Sequence, residues 1–242
     1  MDFNKMKKDK NVKIYRRLLK YPPFVPWKKG DQMTIIHHLK SRAQITVTAP
    51  EPVTVSDAEK LYSAIYCAEN IRDGEETVSF IAKISKIHKL TNCNNEEYIV
   101  SSLERITKLT IKYEFKKKKI VIFHIIDKVE FDPGTGILSI RMPKETYYAF
   151  KNKALTINLK NFTDLKPGTK NLYGFLITNP GGRFKEDLLI ERAVITTDRK
   201  DHAQRSLKKG LEELKNNNII KDFKIQKKDR QRYVVIDKNG KN

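Results

Sequence analysis

The side chains best suited to act on another surface are cationic, and they are clustered. Arg199, Lys200, Gln204, Arg205, Lys208 and Lys209 lie on or just before the segment Asp201–Asn216, on the side away from Leu207, Leu211 and Leu214. Arg and Gln can make paired hydrogen bonds to guanine and adenine edges in a major groove. Lysines more often hold phosphates and set register. A second stretch, Asn95–Lys108, turns Tyr98, Ser101, Ser102, Arg105 and Lys108 away from Ile99, Leu103 and Ile106. It is less basic, which points to weaker or more phosphate-directed contact. Each stretch runs into a pair of β-like segments with a basic tip. The tips are Lys116, Lys117, Lys118 and Lys119 in the first case, and Lys227, Lys228, Arg230 and Arg232 in the second. Cations gathered at a hairpin tip repel one another unless an anion joins them, and each phosphate held should steepen the salt dependence of binding. Both faces also have a plainer reading. The second is a solvated charged surface, and the first is a dimer contact.

Catalytic constellations are not filled. His37 and His38 are adjacent, so on a strand they point to opposite faces. A nuclease of the rolling-circle kind needs two histidines on one face and a tyrosine nucleophile on a later helix. His124 stands among Ile and Phe. Asp127, Glu130 and Asp132 could imitate a carboxylate metal site, yet acids beside a Pro-Gly turn are commonplace. No GxxxxGK[ST] loop occurs. No set of catalytic roles can be assigned, so the expectation is a protein without enzymatic activity, cofactor or metal.

The totals agree with a polyanionic partner. Forty-nine Lys and Arg against 29 Asp and Glu leave +20 over 242 residues. No apolar run approaches the roughly 20 residues of a spanning helix. The N-terminus lacks the apolar stretch of a signal peptide. Cys67 and Cys93 are too few for a disulfide framework and lack metal-ligand spacing, which suits a reducing cytoplasm.

The elements that must position these cations follow from periodicity. Ile99, Leu103 and Ile106 repeat at helical spacing, and Thr110–Phe115 and Ile120–Ile126 read as strands. Upstream, Ser56-Asp57-Ala58-Glu59 reads as a capping box for a helix to about Ile71. Val78–Leu90 reads as a strand and then a supporting helix. Glu130–Met142 forms a strand pair around Asp132-Pro133-Gly134-Thr135-Gly136, and Pro143–Lys151 a helix. The order then recurs. Leu61–Tyr66 is echoed by Leu172–Ile177, Leu103 by Leu211, and Lys116 by Lys227, at a spacing of about 110 residues. Thr169–Thr178 and Lys185–Val194 supply two helices, with Thr197 or Asp198 capping the next. Helix, turn, helix, basic hairpin is the winged-helix plan. The expected fold class is α+β: two tandem winged-helix domains related by a weak internal repeat. The expected divisions are a basic arm over 1–30, a first domain over 31–152 and a second over 153–242. The arm reads either as a solvated tail or as a DNA-touching segment, and Phe24 and Trp27 should pack on the first domain.

In this order the motifs resemble the replication initiator (Rep) proteins of iteron-controlled, theta-replicating plasmids. Four stretches carry the likeness: Leu103-Glu104-Arg105-Ile106 followed by Leu109–Phe115; Ile125–Phe131 with Gly136–Met142; Leu172-Tyr173-Gly174-Phe175-Leu176; and Arg205–Leu214. The likeness covers about residues 56–237; segments 21–30 and 45–55 have no counterpart. It implies binding of double-stranded, direct-repeat origin DNA through both winged helices, opening of an AT-rich region, and recruitment of a host initiator and helicase. It also implies a homodimer through the first domain that represses its own promoter, in a bacterial cytoplasm and away from membranes. A double winged-helix repressor without a replication role is the alternative, and a rolling-circle endonuclease a distant third.

Overall fold

The computed structural model describes residues 11–20, 22–26, 30–39, 44–115, 119–152, 154–179, 181–195, 197 and 199–238. The chain is α+β, with antiparallel sheets. The first elements are β1 (Asn11–Tyr15), α1 (Arg16–Lys20), β2 (Met33–His38), β3 (Gln44–Ala49) and α2 (Val55–Tyr66). They are followed by β4 (Glu69–Asp73), β5 (Thr77–Lys83), α3 (Ile84–Thr91), α4 (Glu96–Thr107), β6 (Thr110–Phe115) and β7 (Lys119–His124). Then come β8 (Lys128–Asp132), β9 (Ile137–Pro143), α5 (Lys144–Asn152), β10 (Ala154–Asn158) and α6 (Leu159–Asp164). The last set is α7 (Pro167–Thr178), β11 (Gly182–Lys185), α8 (Glu186–Arg192), α9 (Lys200–Asn216), β12 (Ile220–Lys228) and β13 (Gln231–Lys238).

The two halves trace one path. In the second, helix α7 leads to strand β11, then to α8, α9 and the hairpin β12–β13, with the strands ordered β11-β13-β12. In the first, α2 leads to β5, α3, α4 and later β8–β9, and the strands lie in the matching order β5-β9-β8 beside β4. The lysine hairpin β6–β7 is therefore not the counterpart of β12–β13. It interrupts the path and joins β2 and β3 in a separate sheet ordered β2-β3-β6-β7. The expected match of Lys116 to Lys227 fails for this reason: spacing counted an insertion as part of the repeat.

Local chemistry explains the ends of the helices. At α2 the cap is Thr54, not Ser56. Its Oγ1 accepts from Asp57 N at 3.4 Å, while Asp57 Oδ2 accepts from Thr54 N at 2.7 Å. The helix stops at Tyr66 rather than Ile71, because Glu69–Asp73 is drawn into β4 against β5. Asn95 caps α4 by accepting from Tyr98 N at 2.8 Å, with Glu96 and Glu97 in the first turn, where the helix dipole favours acids. Arg199 occupies the cap position of α9 without a side-chain bond to the helix; Thr197 Oγ1 accepts from Arg199 N at 3.3 Å, and Asp198 lies outside the described residues.

The basic arm is only in part an arm. Residues 1–10 lie outside the described residues, but β1 pairs antiparallel with β10, and Leu18 and Leu19 of α1 are buried. Helix α1 lies against α7, where a Cβ on Gly174 would meet Leu19 Cδ2 at 3.0 Å, so glycine permits the approach. Phe24 is buried edge-on to Tyr62, as expected; Trp27 lies outside the described residues.

The halves share one apolar core, and buried polar contacts join them. Lys170 of α7 pairs with Glu59 of α2, both buried. His37 of β2 contacts Pro22 O through Nε2 at 2.8 Å, and Arg192 of α8 reaches its Nδ1 at 3.0 Å. Arg192 also donates to His38 O, and His38 N donates to Glu191 Oε1, each at 3.0 Å. His37 is buried and His38 exposed, the opposite faces that a strand gives to neighbours.

Candidate nucleic-acid interface

Helix α9 is positioned by Ala203, Leu207, Gly210, Leu211 and Leu214, which face the core. Burying one leucine contributes about 1.5–3 kcal/mol, so this stripe fixes which side looks out. Arg199, Lys200, Arg205, Lys208 and Lys209 are exposed as the sequence implied, whereas Gln204 is half-buried. Gln204 Nε2 donates to Glu186 Oε2 at 2.7 Å, and Arg232 Nε donates to the same carboxylate at 2.8–3.0 Å. Glu186 opens α8 and is only 1% exposed, so it ties α8, α9 and β13 together. Gln204 and Arg232 are thereby held in place rather than left loose on the surface.

Acids also organise the exposed cations. Asp201 accepts from Arg199 at 3.1 Å and from Arg205 at 2.6 Å, and the Arg199 bond, with Arg205 beside it, holds its carboxyl below the ordinary range. Lys200 lies 3.7 Å from Asp187, and Lys208 lies 3.7 Å from Glu212. Exposed pairs of this kind contribute about 0–1 kcal/mol, so a phosphate can displace them at little cost. Lys209, Lys227, Lys228 and Arg230 are exposed with no carboxylate within 4 Å among the described residues. Glu186 and Asp187 of α8 bridge the first turns of α9 to Gln231 and Arg232, so those turns lie beside the end of β13 next to the hairpin tip. Sequence reasoning passed over Asp201 and Glu186. The signal for Asp201 was present, since Arg205 follows it by one helical turn; Glu186 is joined to its partners only by the fold.

The first half differs. Ser102 is 0% and Arg105 7% exposed, so neither stands on the outward face of α4 as expected. Arg105 Nη2 donates to Asp57 Oδ1 at 2.6 Å and to Ser102 Oγ at 3.1 Å, beneath the cap of α2. A buried carboxylate 48 residues upstream in sequence has claimed the arginine. Tyr98 is exposed, but its ring sits 5.1 Å from Lys60 Nζ and 5.8 Å from Arg105 Cζ, and its hydroxyl donates to Ser56 at 3.3 Å. Ser101 is half-buried and donates to Tyr98 O; Lys108 is exposed and pairs with Glu51 at 3.1 Å. Lys116, Lys117 and Lys118 lie outside the described residues, and Lys119 begins β7. The hairpin that does match β12–β13 carries Lys128 and Arg141 against Glu130 and Asp132 and ends in Asp132–Gly136, so it is close to neutral.

Among the described residues no group of three or more His, Cys, Asp or Glu is placed to hold a metal ion. His124 Nδ1 lies 3.1 Å from Leu109 O, a contact across β6–β7. Burial pushes the Cys67 thiol up to about 11. No helix among the described residues is long and apolar enough to cross a membrane. Comparison with protein-family models and with curated proteins gave no match for this chain.

Proposed function

We propose that this chain binds double-stranded DNA through two tandem winged helices, with α9 as the base reader, and serves as a plasmid replication initiator acting on direct repeats at an origin. The observation that carries the reading is the set of exposed cations on the outward face of α9 and at the tip of β12–β13, of which Lys209, Lys227, Lys228 and Arg230 have no carboxylate partner among the described residues. A helix in the major groove with a hairpin beside it uses such a set for bases and phosphates together. The first half then adds phosphate contact through Lys108 and the lysine hairpin. Its sheet also supports a homodimer. Strand β7 ends the order β2-β3-β6-β7, and Ile120 and Ile122 on it are 60% and 59% exposed, as suits an edge that takes a second strand. Origin opening, recruitment of a host initiator and helicase, and a bacterial cytoplasmic location complete the proposal; they rest on the resemblance of the motifs.

The test is a footprint of the purified protein on the DNA flanking its gene at two salt concentrations. Protection of evenly spaced direct repeats, lost in Arg205→Ala, supports the initiator reading. Protection of one inverted repeat alone makes the chain a repressor. Protection no better than on unrelated DNA defeats the proposal.

A further inference from the structure

Strand β7 ends its sheet, so one side of its backbone has no strand beside it. Between β7 and the start of α5 lies a groove of about 570 Å³. Val121 and Phe123 of β7 form one wall, and Pro143 and Ala149 belong to the other. Phe123 is stacked on Tyr113, with ring centroids 5.6 Å apart, so that wall is already in place. The rim is acidic. Glu75 and Glu76, in the connection of β4 to β5, and Glu145, in the first turn of α5, are exposed and line the groove. None of the three has a cation within 4 Å among the described residues. Lys144, on the same wall, is taken up by Asp73 at 2.9 Å and by Gly74 O at 3.0 Å. Three unpaired carboxylates around one apolar groove are out of keeping with a chain of net charge +20. The other face of β7 is unusual too, since Ile120 and Ile122 are exposed there.

One occupant accounts for both faces. We propose that β7 and this groove dock an extended segment of a partner protein in which basic and aliphatic residues alternate. A strand added to a sheet edge sends successive side chains to opposite faces. On the groove side, Arg or Lys stems lie along Val121, Phe123 and Pro143 and carry their charged heads to Glu75, Glu76 and Glu145. On the other side, the aliphatic residues cover Ile120 and Ile122. The main chain supplies hydrogen bonds to β7, and the acids supply selectivity and a fast approach. Elsewhere the net charge of the protein repels a cationic segment, so a local acidic patch is needed to hold one. A second copy that added its own β7 would bring Val121 and Phe123 to the groove and leave the acids unpaired. It and the segment compete for one edge. The inference does not depend on the reading of α9.

The probe is a fluorescently labelled peptide, Arg-Val-Arg-Val-Arg-Val-Arg, titrated into the full chain without DNA. It should bind saturably, and its Glu-Val counterpart should not. Methylation of alternate peptide nitrogens should abolish binding in one register and spare it in the other, because every second amide of an added strand faces β7. The combined variant Glu75→Gln, Glu76→Gln and Glu145→Gln should weaken binding about tenfold, with an unchanged Tm. Glu96→Gln, Glu97→Gln and Glu104→Gln together change the net charge equally on α4, away from the groove lining, and should bind as the wild type does. The DNA footprint of the groove variant should be unchanged, which separates this test from that of α9. Full affinity in the groove variant, equal loss in the α4 variant, or indifference to the methylated register would each overturn the proposal. So would a wild type that binds no peptide; if that protein is a dimer that Ile122→Lys breaks apart, the edge belongs to a second copy instead.

Discussion

The two halves follow one path of helices and strands, and they use the arginines of α4 and α9 in opposite ways. In the first, Arg105 points inward from α4 and is held by the buried Asp57. In the second, Arg205 points outward from α9 and is held by the exposed Asp201. The turns differ in the same sense. After α3 the left-handed position is taken by Asn92, φ 52°, a residue that tolerates it. After α8 it is taken by Val194, φ 53°, a β-branched residue for which it is a true outlier. Helix α4 turns its arginine into the core, and α9 keeps its arginine at the surface. A shared topology does not make two copies equivalent; the location of the carboxylates decides what the cations are free to do.

The largest test of that contrast is Arg105→Ala. It strands Asp57 as a buried charge and should cost about 3–5 kcal/mol, read by denaturant unfolding. A loss below about 1 kcal/mol, with DNA affinity reduced instead, would move Arg105 to the surface role first expected of it. Lys170→Met tests the joint between the halves and should cost on the order of 3 kcal/mol, because the buried Glu59 then keeps only the longer pairing to Lys60 at 3.8 Å. Burial raises the Glu59 carboxyl above its ordinary value even with Lys170 present. A carboxyl raised on folding gives stability at low pH that is lost as pH climbs through its folded value. Lys170→Met should therefore lose stability most steeply between acid and neutral pH, and a pH-independent loss would rule out this account. Arg205→Ala should do the reverse of Arg105→Ala. Unfolding should hardly change, while specific DNA affinity falls by about 1–3 kcal/mol in an equilibrium titration. Asn92→Val would impose on the first half the strain that the second carries, and should cost about 1 kcal/mol of stability without touching DNA binding. Smallest is Lys227→Ala, which should lower the slope of log affinity against log salt by about one, with little change in sequence preference.

The helices of both halves were legible because Ile99, Leu103 and Ile106, and Leu207, Leu211 and Leu214, repeat at one helical turn and do face the core. The hairpins were legible as local pairs, but not the sheet each joins. Thr48 pairs with Thr110 and Val47 with Ile111, and no local pattern announces a partner that distant. Local pattern alone therefore makes the lysine hairpin read as a wing, although it joins the sheet β2-β3-β6-β7. The burial of Arg105 was hidden for the same reason, since periodicity places it beside the core stripe and only Asp57 draws it in. The cap of α2 was misplaced because Thr54 and Ser56 each begin a hydroxyl-x-x-acid motif. The fold chose Thr54–Asp57, leaving Glu59 free to meet Lys170.

Strand β1 pairs with β10, so the first strand among the described residues waits for one that lies beyond the whole first half. At a synthesis rate of about 5–20 residues per second, that wait is on the order of ten seconds on the ribosome. During it the backbone donors and acceptors of Asn11–Tyr15 lack the ladder that β10 gives them in the folded chain. The same closure governs any attempt to separate the halves. A fragment ending at residue 152 would keep β1 and lose its ladder, and a fragment starting at 153 would carry the bare edge of β10. The halves can be compared by substitution, but cutting between them would create two new sticky edges.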